Sequence, residues 1–289
     1  MKGCDRVYHL AAYARTWAKD PQTFFAVNVG GLRNVLTAAV KTSVEKVVFT
    51  SSSITLSPSD QVPSDESRPQ PRKFLTVYQH SKFMAEQEAQ RFLEAGLHIV
   101  TVYPTRVFGP GLLNEGNSAT RMIKWYLEGK WRLILGNVKG IGNYAFVCDL
   151  VRGIVLAMEK GGRGEKYLIG GENLSYDKFF ETLSELSGRR YKLFHVSPSV
   201  VTLVSLVEEL RGKAFGHHAL ITRGWVQTFL LDWGFSLDKA RRELGYSFTP
   251  FREALEVTVR WLVEQNARKE ECDEISDRYY RRENVVPVR

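Results

Sequence analysis

The first half of this chain alternates short β-branched or apolar runs with longer amphipathic stretches, and that alternation restricts it to a parallel sheet covered by helices on both faces. Strands are expected at residues 6–11, 46–51, 98–103 and 166–169. Between the first two, residues 21–40 read as a helix whose Gly30-Gly31 pair would let another backbone approach closely. Residues 77–96 read as a helix stopped by glycine. From about residue 175 the pattern turns mostly helical, with helices over 175–187, 199–212, 237–244 and 250–265. Ser175 is suited to cap the first of these by its residue type alone. No internal repeat or low-complexity linker divides the chain. The expected organisation is a partial dinucleotide-binding domain over 1–174, a smaller substrate lobe over 175–266 interleaved with it, and a charged tail over 267–289.

Apolar residues make up 44% and charged residues 25% of the chain, a soluble globular composition. The longest apolar stretches, 200–207 and 225–233, fall short of the roughly 20 residues a membrane span needs, so no span is expected. The N-terminus shows no charged-then-apolar leader, which points to the cytoplasm. Cys4, Cys148 and Cys272 are far apart, odd in number and outside any metal-ligand spacing, and read as free thiols. A net charge of +8 raises the question of nucleic acid, as does the cluster Arg278-Tyr279-Tyr280-Arg281-Arg282. That cluster follows a run dense in both charge signs, so it reads as a solvated tail, and no nucleic-acid partner is expected. A modest basic excess also suits an enzyme whose cofactor is anionic.

The chemistry is concentrated in two places. Val47-Val48-Phe49-Thr50-Ser51-Ser52-Ser53 is an apolar strand ending in hydroxyls, and in open α/β sheets ligands bind beyond the carboxyl ends of strands. Tyr78-Gln79-His80-Ser81-Lys82 then sets a phenol and an amine four apart on a helix, on one face and one turn apart. An ammonium beside a phenol favours the phenolate, so Tyr78 is expected to be shifted down from its reference of about 10, toward a range useful for proton transfer with an alcohol or carbonyl. The spacing alone is weak, because Tyr126-Leu127-Glu128-Gly129-Lys130 repeats it without a Ser-ended strand in front; that copy reads as a plain helix end. Ser52 is preferred over Ser51 and Ser53 as the catalytic hydroxyl. His217-His218 diverge on a helix and make a poor metal pair, and Asp65-Glu66 read as a solvated loop.

Six motifs in order carry a family resemblance: His9-Leu10-Ala11-Ala12, Asn28 to Leu36, Thr50-Ser51-Ser52, Tyr78 with Ser81 and Lys82, Tyr103 to Gly111, and Phe146 to Leu150. Over about residues 3–266 the chain resembles the extended short-chain dehydrogenases/reductases, within them the NAD-dependent epimerase/dehydratase family and its dihydroflavonol-reductase-like branch with farnesol-dehydrogenase-like members. The segments 164–173 and 238–246 point to that branch. The resemblance implies an NAD(P)-dependent oxidoreductase interconverting an alcohol and a carbonyl on a small hydrophobic molecule, with NAD or NADP as cofactor. It implies Tyr78 as general acid/base, Lys82 holding the nicotinamide ribose and tuning Tyr78, and Ser52 on the substrate oxygen. His9, Leu10 and Ala11 would lie under the cofactor, Pro104, Thr105 and Val107 would cover the nicotinamide, and Asn28 would brace the neighbouring strand and helix. His9 as an interior histidine and Asn28 as a simple helix-to-loop tie are the plain alternatives. A homodimer through the helices containing Asn34 and Lys82 is also implied. Tyr103 and Cys148 depart from the family, which often has Arg at the first position and a second acidic or polar residue at the second.

No glycine-rich phosphate-binding turn precedes His9-Leu10-Ala11-Ala12, a segment that resembles the fourth strand of such a fold. The expectation is therefore a Rossmann-type sheet without its first three strands, a lack of about 60 residues by the usual size of such units, best explained by an incomplete sequence. Its leading strand would be a bare edge open to pairing with another chain, and cofactor binding would be weak. Two other readings stay open: a nucleotide-sugar epimerase or dehydratase on the same scaffold, and a non-catalytic binding protein of the same fold. The apolar helix over 199–210 and the aromatic-rich 225–235 favour a hydrophobic substrate unless they are plain core.

Overall fold

In strands β1 (Arg6–His9), β2 (Lys46–Thr50), β3 (Ile99–Pro104) and β7 (Lys166–Ile169), the β-branched runs pair in parallel in the order β1-β2-β3-β7. The computed structural model describes residues 1–60, 62–113, 116–135, 140–215 and 222–265. The tail over 267–289 with Cys272 and the Arg278 cluster, and the His217-His218 pair, lie outside the described residues. Register is fixed by period-two alternation. Val47, Phe49 and Ile99 face a core shared with α2 (Gly31–Lys41) and α3 (Val77–Glu94), while Val48, Val100 and Val102 face α5 (Val147–Lys160) and α9 (Asp238–Leu244). Helices thus cover both faces of a parallel sheet, and the fold is Rossmann-like α/β. β1 pairs only with β2 among the described residues, and Tyr8 and Leu10 on this edge are 43% and 53% exposed.

The helix expected over 21–40 begins as α1 (Gln22–Phe25), passes through a π-turn at Ala26–Gly30 and continues as α2. Its glycines do not serve close backbone approach: a Cβ at Gly31 would meet nothing within 4 Å, and one at Gly30 only the Phe25 carbonyl at 4.0 Å. The stretch Gln22–Lys41, with mean hydropathy 1.2, is long and apolar enough to cross a membrane, contrary to the reading of no such segment. Here it is amphipathic and packs on the sheet, with Leu32, Leu36 and Ala39 fully buried. Each buried leucine contributes about 2 kcal/mol of transfer free energy.

After β3 the chain leaves the main sheet. Pro104 still pairs with Ile169, but Arg106 opens β4 (Arg106–Phe108), which joins β6 (Ile141–Phe146) and β8 (Glu172–Ser175) in a second sheet. β5 (Leu133–Leu135) and β9 (Phe194–Val196) form a two-stranded ladder. Phe108, α4 (Ser118–Leu127), α6 (Tyr176–Ser187) and the helix over 251–265 (α10) share another core, drawn from segments far apart in sequence. Ser175 caps α6, its hydroxyl accepting from Lys178 N at 3.2 Å. α7 (Pro198–Phe215) buries Val201 and Ser205 but leaves Val200, Leu203, Val204, Val207 and Leu210 about half exposed or more, so the apolar helix over 199–210 is neither plain core nor cavity wall. Cys4 and Cys148 are free and exposed.

Candidate active site

The end of β2 and the start of α3 are tied together by one side chain. Ser51 N still bonds to the Val102 carbonyl as sheet, and Ser52 then opens a 3-10 turn over Ser53–Thr55, its carbonyl accepting from Thr55 N (3.1 Å) and Thr55 Oγ1 (2.8 Å). At the head of α3, Thr76 Oγ1 accepts from Gln79 N at 3.0 Å while Gln79 Oε1 accepts from Leu75 N at 2.6 Å, a variant of the reciprocal capping box. Gln79 Nε2 also donates to the Ile54 carbonyl at 2.7 Å, which locks the Ser52 turn to the helix that carries Tyr78. Sequence reasoning passed over Gln79, although Thr76-x-x-Gln79 before an amphipathic run was a readable signal.

The three expected residues take distinct positions. Ser51 Oγ is committed to Glu86 at 2.5 Å, whereas Ser52 lines the same cavity as Tyr78 and is near enough to favour its anion. Lys82 is 1% exposed; its ammonium donates to the Thr50 carbonyl at 2.8 Å and lies 4.8 Å from the centre of the Phe49 ring. Asn28 does tie a helix to a loop and to α3: its Oδ1 accepts from Tyr13 N at 2.7 Å, and its Nδ2 donates to Ser81 Oγ at 2.8 Å. Ser81 in turn donates to the Tyr78 carbonyl at 2.8 Å.

The electrostatics correct one expectation. Tyr78 is shifted up from the usual tyrosine value, because burial outweighs the stabilisation of its anion by Ser52. The charge of Lys82 is spent on the Thr50 carbonyl and the Phe49 face and does not pull the phenol down. Burial also lowers Lys82 itself to about 8, against the opposing pull of Glu86. Glu86 sits one turn further along α3 and accepts from Ser51, Gln70 Nε2 (3.1 Å) and Tyr103 Oη (2.9 Å), so the tyrosine that departs from the family pattern serves as a neutral donor to a buried carboxylate.

A cavity of about 390 Å³ opens in front of Ser52 and Tyr78. Leu10, Pro104, Thr105 and Val107 line it, whereas His9, Ala11 and Lys82 do not. His9 is 7% exposed, stacked at 6.1 Å on Phe49 and lowered by burial and then by the nearby Lys82 charge, which makes it an interior histidine in contact with the site's support. Trp225, Phe229, Trp233 and Phe235 also line the cavity, and Tyr78 stacks on Trp225 at 6.4 Å. The 225–235 segment therefore lines the cavity through α8 (Arg223–Leu230) and the loop after it. Thr50 Oγ1 and Thr105 Oγ1 are buried without a protein partner on this cavity, so hydroxyls are left for a ribose or a carboxamide to satisfy. That pattern fits the nicotinamide end of a dinucleotide.

The remaining candidates are structural. Tyr126 is buried with its hydroxyl on the Arg189 carbonyl at 2.7 Å, as a plain helix end requires. Asp149 is 1% exposed and holds Thr249 N at 2.6 Å and Arg152 at 2.8 Å. The Asp65-Glu66 pair is only half solvated: Asp65 is exposed, but Glu66 is partly buried, shifted up by that burial, and accepts from Leu168 N of the edge strand β7 at 2.6 Å.

A sequence model described as the NAD dependent epimerase/dehydratase family matches residues 1–170. A Synechocystis sp. protein provisionally named dihydroflavonol 4-reductase is 29% identical over 267 residues, spanning 90% of this chain and 77% of its own. Sterol demethylase protein B of Methylococcus capsulatus is also 29% identical, over 92% of this chain and 80% of its own. Among solved structures, gox2253 superposes with a TM-score of 0.77 at 32% identity, covering 91% of this chain and 80% of that one.

Proposed function

Because this chain belongs to the NAD dependent epimerase/dehydratase family, we propose that it interconverts a secondary alcohol and a ketone on a hydrophobic small molecule, with Tyr78 as the proton donor and acceptor. One observation carries the reading: Ser52 and Tyr78 line one cavity together with the rings of Trp225, Phe229, Trp233 and Phe235. The substrate oxygen sits between the Ser52 hydroxyl and the Tyr78 phenol. Ser52 donates to that oxygen, and Tyr78 passes its proton to it on reduction or accepts it on oxidation. The dinucleotide, NAD or NADP, supplies or accepts the hydride. Lys82 supports the site from behind through the Thr50 carbonyl, and Leu10, Pro104, Thr105 and Val107 exclude water around the ring. The sterol and flavonoid names of the relatives agree with an apolar pocket.

Two coarser properties complete the picture. The enzyme works in the cytoplasm, where the exposed thiols of Cys4 and Cys148 stay reduced. It dimerises through α2 and α3, on which Val40, Val77 and Met84 remain exposed.

The test is to mix the protein with NADH or NADPH and a panel of hydrophobic ketones and follow the absorbance of the reduced nicotinamide. Stoichiometric loss that disappears in Tyr78→Phe is expected. A rearranged or dehydrated nucleotide sugar with no net absorbance change would instead assign the chain to epimerase or dehydratase chemistry.

A further inference from the structure

The cavity wall carries a cation that the reaction above does not use. Arg106 enters the lining from the first residue of β4, where the chain crosses between the two sheets. Its guanidinium lies against three rings, 5.8 Å from the centre of Tyr144, 5.3 Å from Tyr176 and 5.4 Å from Phe229. Nη1 donates to the Tyr176 hydroxyl at 2.5 Å and more weakly to the Tyr144 hydroxyl at 3.5 Å. The box is close-fitting: a Cβ at Gly142 would stand 2.7 Å from Nη1 and 3.1 Å from the Tyr144 ring, so a side chain there would displace the guanidinium.

Among the described residues, the charge in this box has no counter-ion. Burial shifts both Tyr144 and Tyr176 upward, so the phenols stay neutral and solvate the cation without cancelling it. Among the described residues no carboxylate pairs with Arg106, and the cavity lining contains two arginines, Arg15 and Arg106, but no aspartate or glutamate. A guanidinium has five N–H donors in a planar fork, and Nη1 alone accounts for both phenol contacts. Holding a lone charge at a partly desolvated site is unfavourable unless a partner arrives, and a planar fork is matched by a carboxylate.

We propose that Arg106 anchors an anionic head group, and that the substrate of this cavity is an apolar acid: a hydroxy or oxo carboxylic acid whose hydrocarbon body packs on Trp225, Phe229, Trp233 and Phe235. The inference rests on the reading of this cavity as the substrate site. It divides the labour along the wall, with Tyr78 and Ser52 at the reacting oxygen and Arg106 at the charged end. An apolar body with a single acidic group also accounts for a cation held among aromatic rings in this lining.

Trp225 and Trp233 provide a reporter that needs neither cofactor nor turnover, since both line the cavity. Decanoate, decanol and decylamine share one apolar body and differ only at the head group. Titrated against the full chain with tryptophan fluorescence as readout, decanoate is expected to bind at least about tenfold tighter than decanol, the lower end of what a charge-assisted hydrogen bond gives, and decylamine weakest. Arg106→Gln is expected to bring decanoate down to the affinity of decanol. Equal binding of the three probes, or a decanoate preference that persists in folded R106Q, overturns the proposal; in the second case Arg15→Gln should identify the true anchor. If R106Q does not fold, Arg106→Lys decides, because it keeps the charge but not the fork: a reduced preference supports the anchor and an unchanged one overturns it. Failure of this inference and of the oxidoreductase reading are separable. Ketone reduction without any preference for decanoate sinks only the anchor, whereas a decanoate preference without reduction of any ketone sinks only the redox chemistry.

Discussion

Tyr78 and Lys82 share residue types and spacing with Tyr126 and Lys130, yet the two pairs meet different ends. The first pair lies inside α3, which continues to Glu94, and Lys82 is buried against the Thr50 carbonyl at the end of a strand. The second straddles a helix terminus: α4 stops at Leu127, Gly129 turns the chain with φ +73°, and Lys130 leaves the helical face to pair with Glu128 at 2.7 Å while 70% exposed. Tyr126 faces inward but reaches only the Arg189 carbonyl and the rings of Phe180 and Tyr191. A four-residue spacing specifies a shared face only where the helix persists through both residues. What sets the first copy apart is the hydroxyl-ended strand beside it, which the proposed proton transfer requires.

The contrast breaks first on turnover. Removing one hydroxyl from each pair, as Tyr78→Phe and Tyr126→Phe, should separate them most widely. Ketone reduction is expected to fall about 10²–10⁴-fold in the first, the usual contribution of a positioned acid or base, and to hold within twofold in the second. Comparable losses in both would mean that Tyr78 acts through the fold and not through the proton.

Next in size is an effect of Lys82 on stability. Its folded-state pKa is lowered from 10.5 to about 8, so between those values the unfolded chain binds more protons than the folded one, and stability rises with pH across that window. Below pH 8 the full penalty of burying the ammonium is present, about 3 kcal/mol as an order of magnitude. Lys82→Met removes the penalty but also leaves the Thr50 carbonyl without its donor, so the absolute gain is smaller. The sharper measure is the difference between wild type and variant in urea unfolding: any advantage of the variant at pH 7 should shrink steadily toward pH 10. A difference independent of pH would show that Lys82 is solvated and shares no buried environment with Tyr78.

Much of this first region was legible before any coordinates. The apolar run from Val47 to Phe49 ending in three serines, and the Tyr-Lys helix after it, are local patterns, and β2 and α3 form within a residue or two of their expected bounds. That Ser52 and Tyr78 line one cavity follows from that order of elements. Three things were not legible, each because a non-local environment decides it. The direction of the Tyr78 shift depends on how deeply the phenol is buried, which spacing does not encode. Gly30 and Gly31 resembled a close-approach pair, but no backbone crosses them. The box around Arg106 draws Tyr144 from β6, Tyr176 from α6 and Phe229 from α8, and no window of sequence brings those three rings together. Gln79 differs from these, since its capping pattern was local and readable, and only its second bond to Ile54 required the fold.

The smallest expected difference sharpens the second copy of the motif. Tyr126 donates its hydroxyl to a carbonyl in a buried setting, so Tyr126→Phe leaves the Arg189 oxygen short of a donor and is expected to cost about 1 kcal/mol in unfolding free energy. Lys130→Met removes an ion pair whose lysine is largely in solvent, and should change stability by no more than about 0.5 kcal/mol. If the two residues formed a unit of the kind seen at Tyr78 and Lys82, a double-mutant cycle would show coupling beyond the sum of the single changes. Their contacts run to different partners, so additivity is expected, and a coupling of 1 kcal/mol or more would mean that Lys130 returns to the helix face in solution.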